Sequence, residues 1–170
     1  MTAMPHARTA GTLLVLTLLA PAAACHRHAP ESRVKSVEAR IDGITCPTCV
    51  PPLTASLKRH YKQSAVEVSD EKDTATIQFA DNESFSPAEF RAAVERVRMH
   101  VIRVRMQACG TVRTSDGKTW LTAGDNRFLL QSDGDLPPNE PVCADGTLDS
   151  QGDPATFHVS AFRVQGASGH

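Results

Sequence analysis

The chain is 170 residues long and carries 18 Lys and Arg against 19 Asp and Glu, a formal net charge of −1. That balance argues against a nucleic-acid partner, which favours a strongly basic surface. No Ser/His/Asp order, Walker loop, dinucleotide fingerprint or HExxH helix is present, so the chain reads as a non-enzyme.

Residues 1–24 read as a secretory signal. MTAMPHARTA carries one Arg and no acid, GTLLVLTLLA is an apolar run, and PAAAC supplies small residues for cleavage. The apolar run is too short to span a bilayer, which takes about 20 residues. Ala22-Ala23-Ala24-Cys25 resembles the lipobox of bacterial lipoproteins, with Ala22 where Leu is usual. That resemblance implies a lipidated Cys25, an exported protein facing the periplasm, and contact with the membrane only through the lipid. A plain signal-peptidase site after Ala24 would instead leave a soluble periplasmic protein. Residues 25–33, with His26 and His28 flanking Arg27, read as a polar tether.

Val37, Ala39 and Ile41 alternate with Glu38, Arg40 and Asp42, the period of a half-buried strand that Gly43 ends. Val50, Leu53, Leu57 and Tyr61 then fall at helical spacing. Pro51 and Pro52 are tolerated in a first helical turn, so this helix starts at or just before Cys49. Ala65–Val68 and Ala75–Phe79 read as a hairpin about the turn SDEKDT. Ser86 is a natural N-cap, Pro87 takes the first helical position, and Glu89 completes a capping box. Val101–Met106 alternates as a further strand. The order over residues 34–107 is β-α-β-β-α-β, the ferredoxin-like arrangement.

Beyond Met106 the chain turns acidic, with eight Asp and Glu against four Lys and Arg. The shift places a boundary near Cys109-Gly110. Five short strand candidates between Gly110 and Val164, separated by SDG, GDN, DGDLPPNE and QGDP, predict a small barrel or open sandwich over residues 108–166, with an OB-like barrel the first choice. The expected fold class is therefore α+β, a ferredoxin-like domain followed by a small all-β domain.

Cys46 and Cys49 form a CPTC motif where a strand-end loop leads into a helix. The helix N-terminus favours thiolate over thiol there. Three chemistries fit: a clamp for a soft ion, a thiol-disulfide redox pair, or an ordinary disulfide of no further function. As a clamp the pair suits Cu(I) or Hg(II), since Zn(II) would require two more ligands. Against a thioredoxin-type site, no Trp precedes Cys46, and a hairpin, one helix and one strand follow the motif.

The run VEARIDGITCPTCVPPLTASL resembles the heavy-metal-associated (HMA) domain family, which includes copper chaperones, modules of metal-pumping ATPases and the periplasmic mercury-binding protein. Leu53 and Leu57 match its apolar positions four and eight residues past the second Cys, and ATIQF resembles its third strand. Ile44 stands where the family has Met. The resemblance implies that Cys46 and Cys49 are the metal ligands and that a metal transporter or another metal-binding protein is the partner. It also implies that Met99 or His100, near the family's last loop, is a candidate third ligand. With Cys25 assigned to lipid and Cys46 with Cys49 to metal, Cys109 and Cys143 remain as a disulfide in an oxidising compartment. A second soft-metal site at that pair is the alternative. His60 and His158 read as solvated or ordinary. The expected function is an envelope protein that sequesters or hands over a soft ion. A thiol-disulfide protein, or an interaction module with a vestigial dithiol, are the other readings.

Overall fold

A computed structural model describes residues 30–166. Its elements, in chain order, are β1 (Arg33–Asp42), α1 (Val50–His60), β2 (Ala65–Ser69), β3 (Thr74–Gln78), α2 (Pro87–Glu95), β4 (His100–Ser115), β5 (Lys118–Ala123), β6 (Asn126–Ser132), β7 (Pro141–Asp149) and β8 (Thr156–Val164), with a short 3-10 turn at Pro47–Cys49 before α1. Ser86 caps α2 as its sequence suggests: the Glu89 N–H donates to Ser86 Oγ at 3.3 Å. Among the described residues no helix is long and apolar enough to cross a membrane.

All eight strands belong to one sheet, in the order β2-β3-β1-β4-β5-β6-β8-β7, and β4 also pairs with β7. That last pairing closes β4, β5, β6, β8 and β7 into a barrel. Its pairs are antiparallel except β6–β8, which is parallel. The second half of the chain is thus OB-like, a five-stranded barrel.

The expectation of a separate ferredoxin-like domain is corrected by β4. The element order before it is as expected, but the strand does not stop at the end of VIRVRM. It runs for 16 residues and carries the chain straight into the barrel. One of its edges pairs with β1 up to Cys109 and with β5 from Thr111. Its other edge pairs with β7 from Val104 to Thr111. Gly110, at the expected boundary, is therefore mid-strand. A Cβ there would lie 2.1 Å from the Thr122 carbonyl oxygen, so only glycine lets β5 take over this edge. The glycine punctuates the sheet, and in the sequence it looks like a linker.

Burial is continuous across this shared strand. Leu53, Leu57 and Tyr61 of the first helix and its end, and Phe90, Ala93 and Val94 of α2, cover one face of β1, β3 and β4. Tyr61, Phe79, Phe85 and Phe90 form a chain of rings with centroids 5.3, 5.6 and 6.0 Å apart. Between the helices the buried Ser56 hydroxyl donates to the Ala93 carbonyl at 2.7 Å. Val112, Leu121, Phe128, Val142 and Phe157 fill the barrel and join the same apolar cluster. Burial and a contact with Ser86 surround the Tyr61 hydroxyl, and the burial pushes its pKa well above the usual phenol value.

Cys109 and Cys143 lie directly opposite each other on β4 and β7 and form a disulfide, with Cα atoms 3.9 Å apart. It bridges the pairing that closes the barrel. Part of the stretch read as a tether is also in place. The Glu31 N–H donates to Gln165 Oε1 at 2.6 Å, Gln165 Nε2 donates back to the Glu31 carbonyl at 2.7 Å, and the Gly124 N–H donates to Ser32 Oγ at 3.0 Å.

Because both halves share β4 and one core, thermal unfolding should be a single transition. The bonded cysteines are 34 positions apart. A loop of that length corresponds to about 3–4 kcal/mol in the chain-entropy model. A Cys109→Ala, Cys143→Ala variant should therefore melt at a clearly lower temperature, still in one step. Two resolved transitions in calorimetry, or an unchanged midpoint, would contradict this.

Glu83 accepts from the Gln63 N–H at 2.9 Å and from the Ser64 hydroxyl, tying the loop before α2 to the end of α1. Partial burial works to raise its pKa, but hydrogen bonds from the Ser64 side chain and the Gln63, Ser64 and Lys62 backbone outweigh it and hold the carboxyl below its ordinary 4.5. A depressed carboxyl contributes stability above its unfolded pKa and loses it as pH falls through the folded one. Glu83→Gln should lower the melting temperature near neutrality, and the gap to wild type should shrink below pH 4.5. A pH-independent gap in melting curves would rule this out.

Candidate functional site

The CPTC segment is positioned by the strand before it and the helix after it. Gly43 ends β1 at φ +104°, a conformation that side chains rarely adopt, and a Cβ on it would come within 3.1 Å of Met99 Cγ. Ile44 then drops into the core, 1 % exposed. With Ile44 fixed below, Thr45 is exposed and Cys46 stands extended at the head of the 3-10 turn, φ −160° and ψ 153°. Pro47 takes the first position of the turn, where no N–H is needed. The Cys49 N–H donates to the Cys46 carbonyl at 2.9 Å and closes it. Val50 starts α1, whose Leu53 and Leu57 anchor it fully in the core.

This geometry brings the two sulfurs together. Cys46 and Cys49 have Cα atoms 5.4 Å apart and form a disulfide, and both residues are half-buried and open to solvent. Thr48 Oγ1 lies 3.1 Å from Cys46 Sγ. A disulfide sulfur has no hydrogen, so Thr48 donates. On reduction the same hydroxyl is placed to donate to a Cys46 thiolate. No acidic residue lies in the first turn of α1, so nothing local cancels the positive end of the helix dipole. The site therefore offers two sulfurs in an environment that suits negative charge.

The remaining candidate residues fall around this pair or away from it. Met99 is 5 % exposed and packs beside Gly43, while His100 is exposed at the start of β4. Among the described residues no His, Asp or Glu joins Cys46 and Cys49 in a three-ligand group. His60 Nε2 lies 3.1 Å from Arg96 Nη1 on the helical layer, and His158 is exposed on β8. Cys25, His26 and His28, and the whole of the signal segment, lie outside the described residues.

Glu31 is a neighbour that sequence spacing could not reveal. Its carboxylate, Cys109 Sγ and Cys143 Sγ lie within 4.8 Å of one another. The two sulfurs are bonded and buried, at 0 % and 4 % exposure. The carboxylate is held by Arg33 Nε at 2.9 Å and Lys35 Nζ at 3.0 Å. Burial works to raise its pKa, but the hydrogen bonds and charges of Lys35 and Arg33 prevail and lower it. Glu31 is thus a satisfied ion-pair partner covering the disulfide. Thr48 likewise joins the site only in the fold, and its place inside the CPTC motif is its one signal in the sequence.

Comparison with known proteins corrects the family expectation. No family model matches the chain, and no curated protein matches it. A solved structure, the S. pombe Stn1-Ten1 complex, aligns at 18 % identity over 38 % of this chain and 59 % of that one, with a TM-score of 0.28. The chain thus spans less than two thirds of that structure's length. The HMA resemblance rested on the run VEARIDGITCPTCVPPLTASL and on ATIQF, within residues 34–106. The strands following that run do not close a small domain but belong to the eight-stranded sheet, so membership of the HMA family is withdrawn.

The two disulfides differ in accessibility. Mild reductant should therefore open Cys46–Cys49 well before Cys109–Cys143. Differential alkylation and peptide mass spectrometry should first label Cys46 and Cys49 only. Equal or reversed labelling would contradict the burial argument.

Proposed function

We propose that the reduced protein binds one soft ion, Cu(I) or Hg(II), through Cys46 and Cys49. The observation that carries this reading is a pair of half-buried cysteines whose sulfurs converge at a helix N-terminus. With no carboxylate or imidazole completing a larger set among the described residues, the site favours ions satisfied by two thiolates over Zn(II), which takes four ligands in structural sites. Met99, packed beside Gly43, and His100, exposed at the start of β4, are the candidates for a third ligand. Openness to solvent suits ligand exchange, in which an incoming thiolate on a transporter or another metal-binding protein replaces one cysteine at a time. The reading takes the protein to be a binding protein and not an enzyme.

Export and a lipid on Cys25 belong to the same proposal, since they would hold the site at the periplasmic face of a membrane. Detergent partitioning of wild type against Cys25→Ser tests that part separately. Both variants in the aqueous phase would remove the anchor.

A second reading is favoured by one observation, the bond between Cys46 and Cys49. A thiol-disulfide protein would pass that bond to a partner dithiol, with the partner oxidised and Cys46–Cys49 reduced to two thiols. Native mass spectrometry of the reduced protein with Cu(I) under anaerobic conditions should show one ion per chain. The Cys46→Ser, Cys49→Ser variant should lose at least about a hundredfold in affinity, since a hydroxyl is a poor ligand for a soft ion. Undiminished binding in that variant, or no binding by reduced wild type, would overturn the metal reading.

A further inference from the structure

The open face of the sheet, opposite the helices, carries a second chemistry. Residues two apart on a strand share a face, so Glu38 and Arg40 on β1 stand beside Arg103 and Arg105 on β4. The register sets Arg40 directly across from Arg103 and Glu38 directly across from Arg105. All four side chains are exposed and together line a depression of about 190 Å³. The geometry points to an oxyanion-binding site here, built from Arg40, Arg103 and Arg105 and suited to a phosphate group.

Three features support this assignment. Like charges placed directly opposite each other on neighbouring strands destabilise a sheet, and an anion bound between Arg40 and Arg103 would remove that cost. No carboxylate approaches any of the three guanidinium groups within the 4.0 Å of an ion pair: the ion pairs among the described residues involve only Arg33 and Lys35 as cations. Glu38 stands across from Arg105 and offsets part of the charge, Asp42 and, across Thr76, Glu67 share the face, Asp149 lies beside Arg103, and Asp145, in the next row, accepts from Gln107 Nε2 at 3.0 Å; the directly opposed Arg40 and Arg103 have no acid between them. Lastly, the choice is Arg and not Lys at all three positions. The planar guanidinium presents paired N–H donors that match the oxygens of a tetrahedral anion.

The surroundings narrow the ligand. Across β1 from β4, Thr74 and Thr76 on β3 stand opposite Arg40 and Glu38. On the other side, Thr147 of β7 stands opposite Arg105. These positions offer hydroxyls and no aromatic ring, so there is no platform on which a base could stack. The face would therefore recognise the anion itself, either a free phosphate or the phosphate of a lipid headgroup. It is independent of the CPTC proposal, since it uses none of the same residues.

The test uses inorganic phosphate in a titration at chloride-matched ionic strength, which discounts general screening. Wild type should bind, and Arg40→Gln, Arg103→Gln should weaken binding at least about tenfold. A Lys58→Gln, Arg59→Gln control on α1 loses the same charge and should bind like wild type. The Arg40→Gln, Arg103→Gln variant, freed of its like-charge pair, should melt no lower than wild type in the absence of ligand. Vesicles of phosphatidylglycerol and of phosphatidylcholine form the second arm. Retention on phosphatidylglycerol alone, lost in the Arg variant, would assign a lipid source, and phosphate binding without retention would assign a soluble one. Silence of wild type in both arms, or equal binding by the Arg variant and the control, would overturn the site.

Discussion

The hydrogen-bond ladders on the two edges of β4 hold the molecule together. Strand β1 and then β5 occupy one edge, and β7 occupies the other. At 16 residues the strand is far longer than the usual five or six. Its first half gives α1 and α2 a surface to cover, and its second half closes the barrel. The exchange of partners at Gly110 leaves no room for a side chain against the Thr122 carbonyl. The Cys109–Cys143 bond sits one residue before that exchange, on the opposite ladder, where loss of pairing would open the barrel. The Glu31 and Gln165 clasp then lays the start of the described chain over the same junction.

This framework explains why the CPTC segment is well placed although it is exposed. Ile44 on one side and Leu53 and Leu57 on the other are anchored in the core, so the residues between them have little freedom to separate. Pro47, Pro51 and Pro52 restrict the backbone further without removing a needed N–H. The sulfurs are held near each other by the packing of Cys49 and its neighbours on the core, and both cysteines remain half-buried. Such an arrangement suits a ligand that must be both held and given up. The exposed Arg40, Arg103 and Arg105 lie on the side of β1 and β4 away from the helices.

Much of the local structure was legible in the sequence. The alternation around Val37, the helical spacing of Leu53 and Leu57, the Ser86-Pro87 start of α2 and the five barrel strands all correspond to elements of the fold, because each is a local pattern of burial. What failed were inferences that depend on how elements join. Cys109-Gly110 looked like a boundary because composition shifts there and glycine interrupts the pattern. In the fold that glycine permits close backbone approach within an unbroken strand. The family resemblance failed for a related reason, since VEARID, CPTC, two leucines and ATIQF specify local elements and say little about how far the sheet extends beyond them. Glu31 beside the disulfide and Arg40 opposite Arg103 could not be read at all, as both depend on register between strands distant in sequence.

The central claim is that two sulfurs from one short loop form the binding site, with the rest of the fold holding them in place. X-ray absorption at the copper edge of the reduced, Cu(I)-loaded protein tests it most directly. The account predicts a first shell of sulfur scatterers from Cys46 and Cys49, identical in a Cys109→Ala, Cys143→Ala background and absent from the Cys46→Ser, Cys49→Ser variant. A first shell of nitrogen and oxygen, or a sulfur signal that survives in the Cys46→Ser, Cys49→Ser variant and vanishes with Cys109 and Cys143, would contradict it.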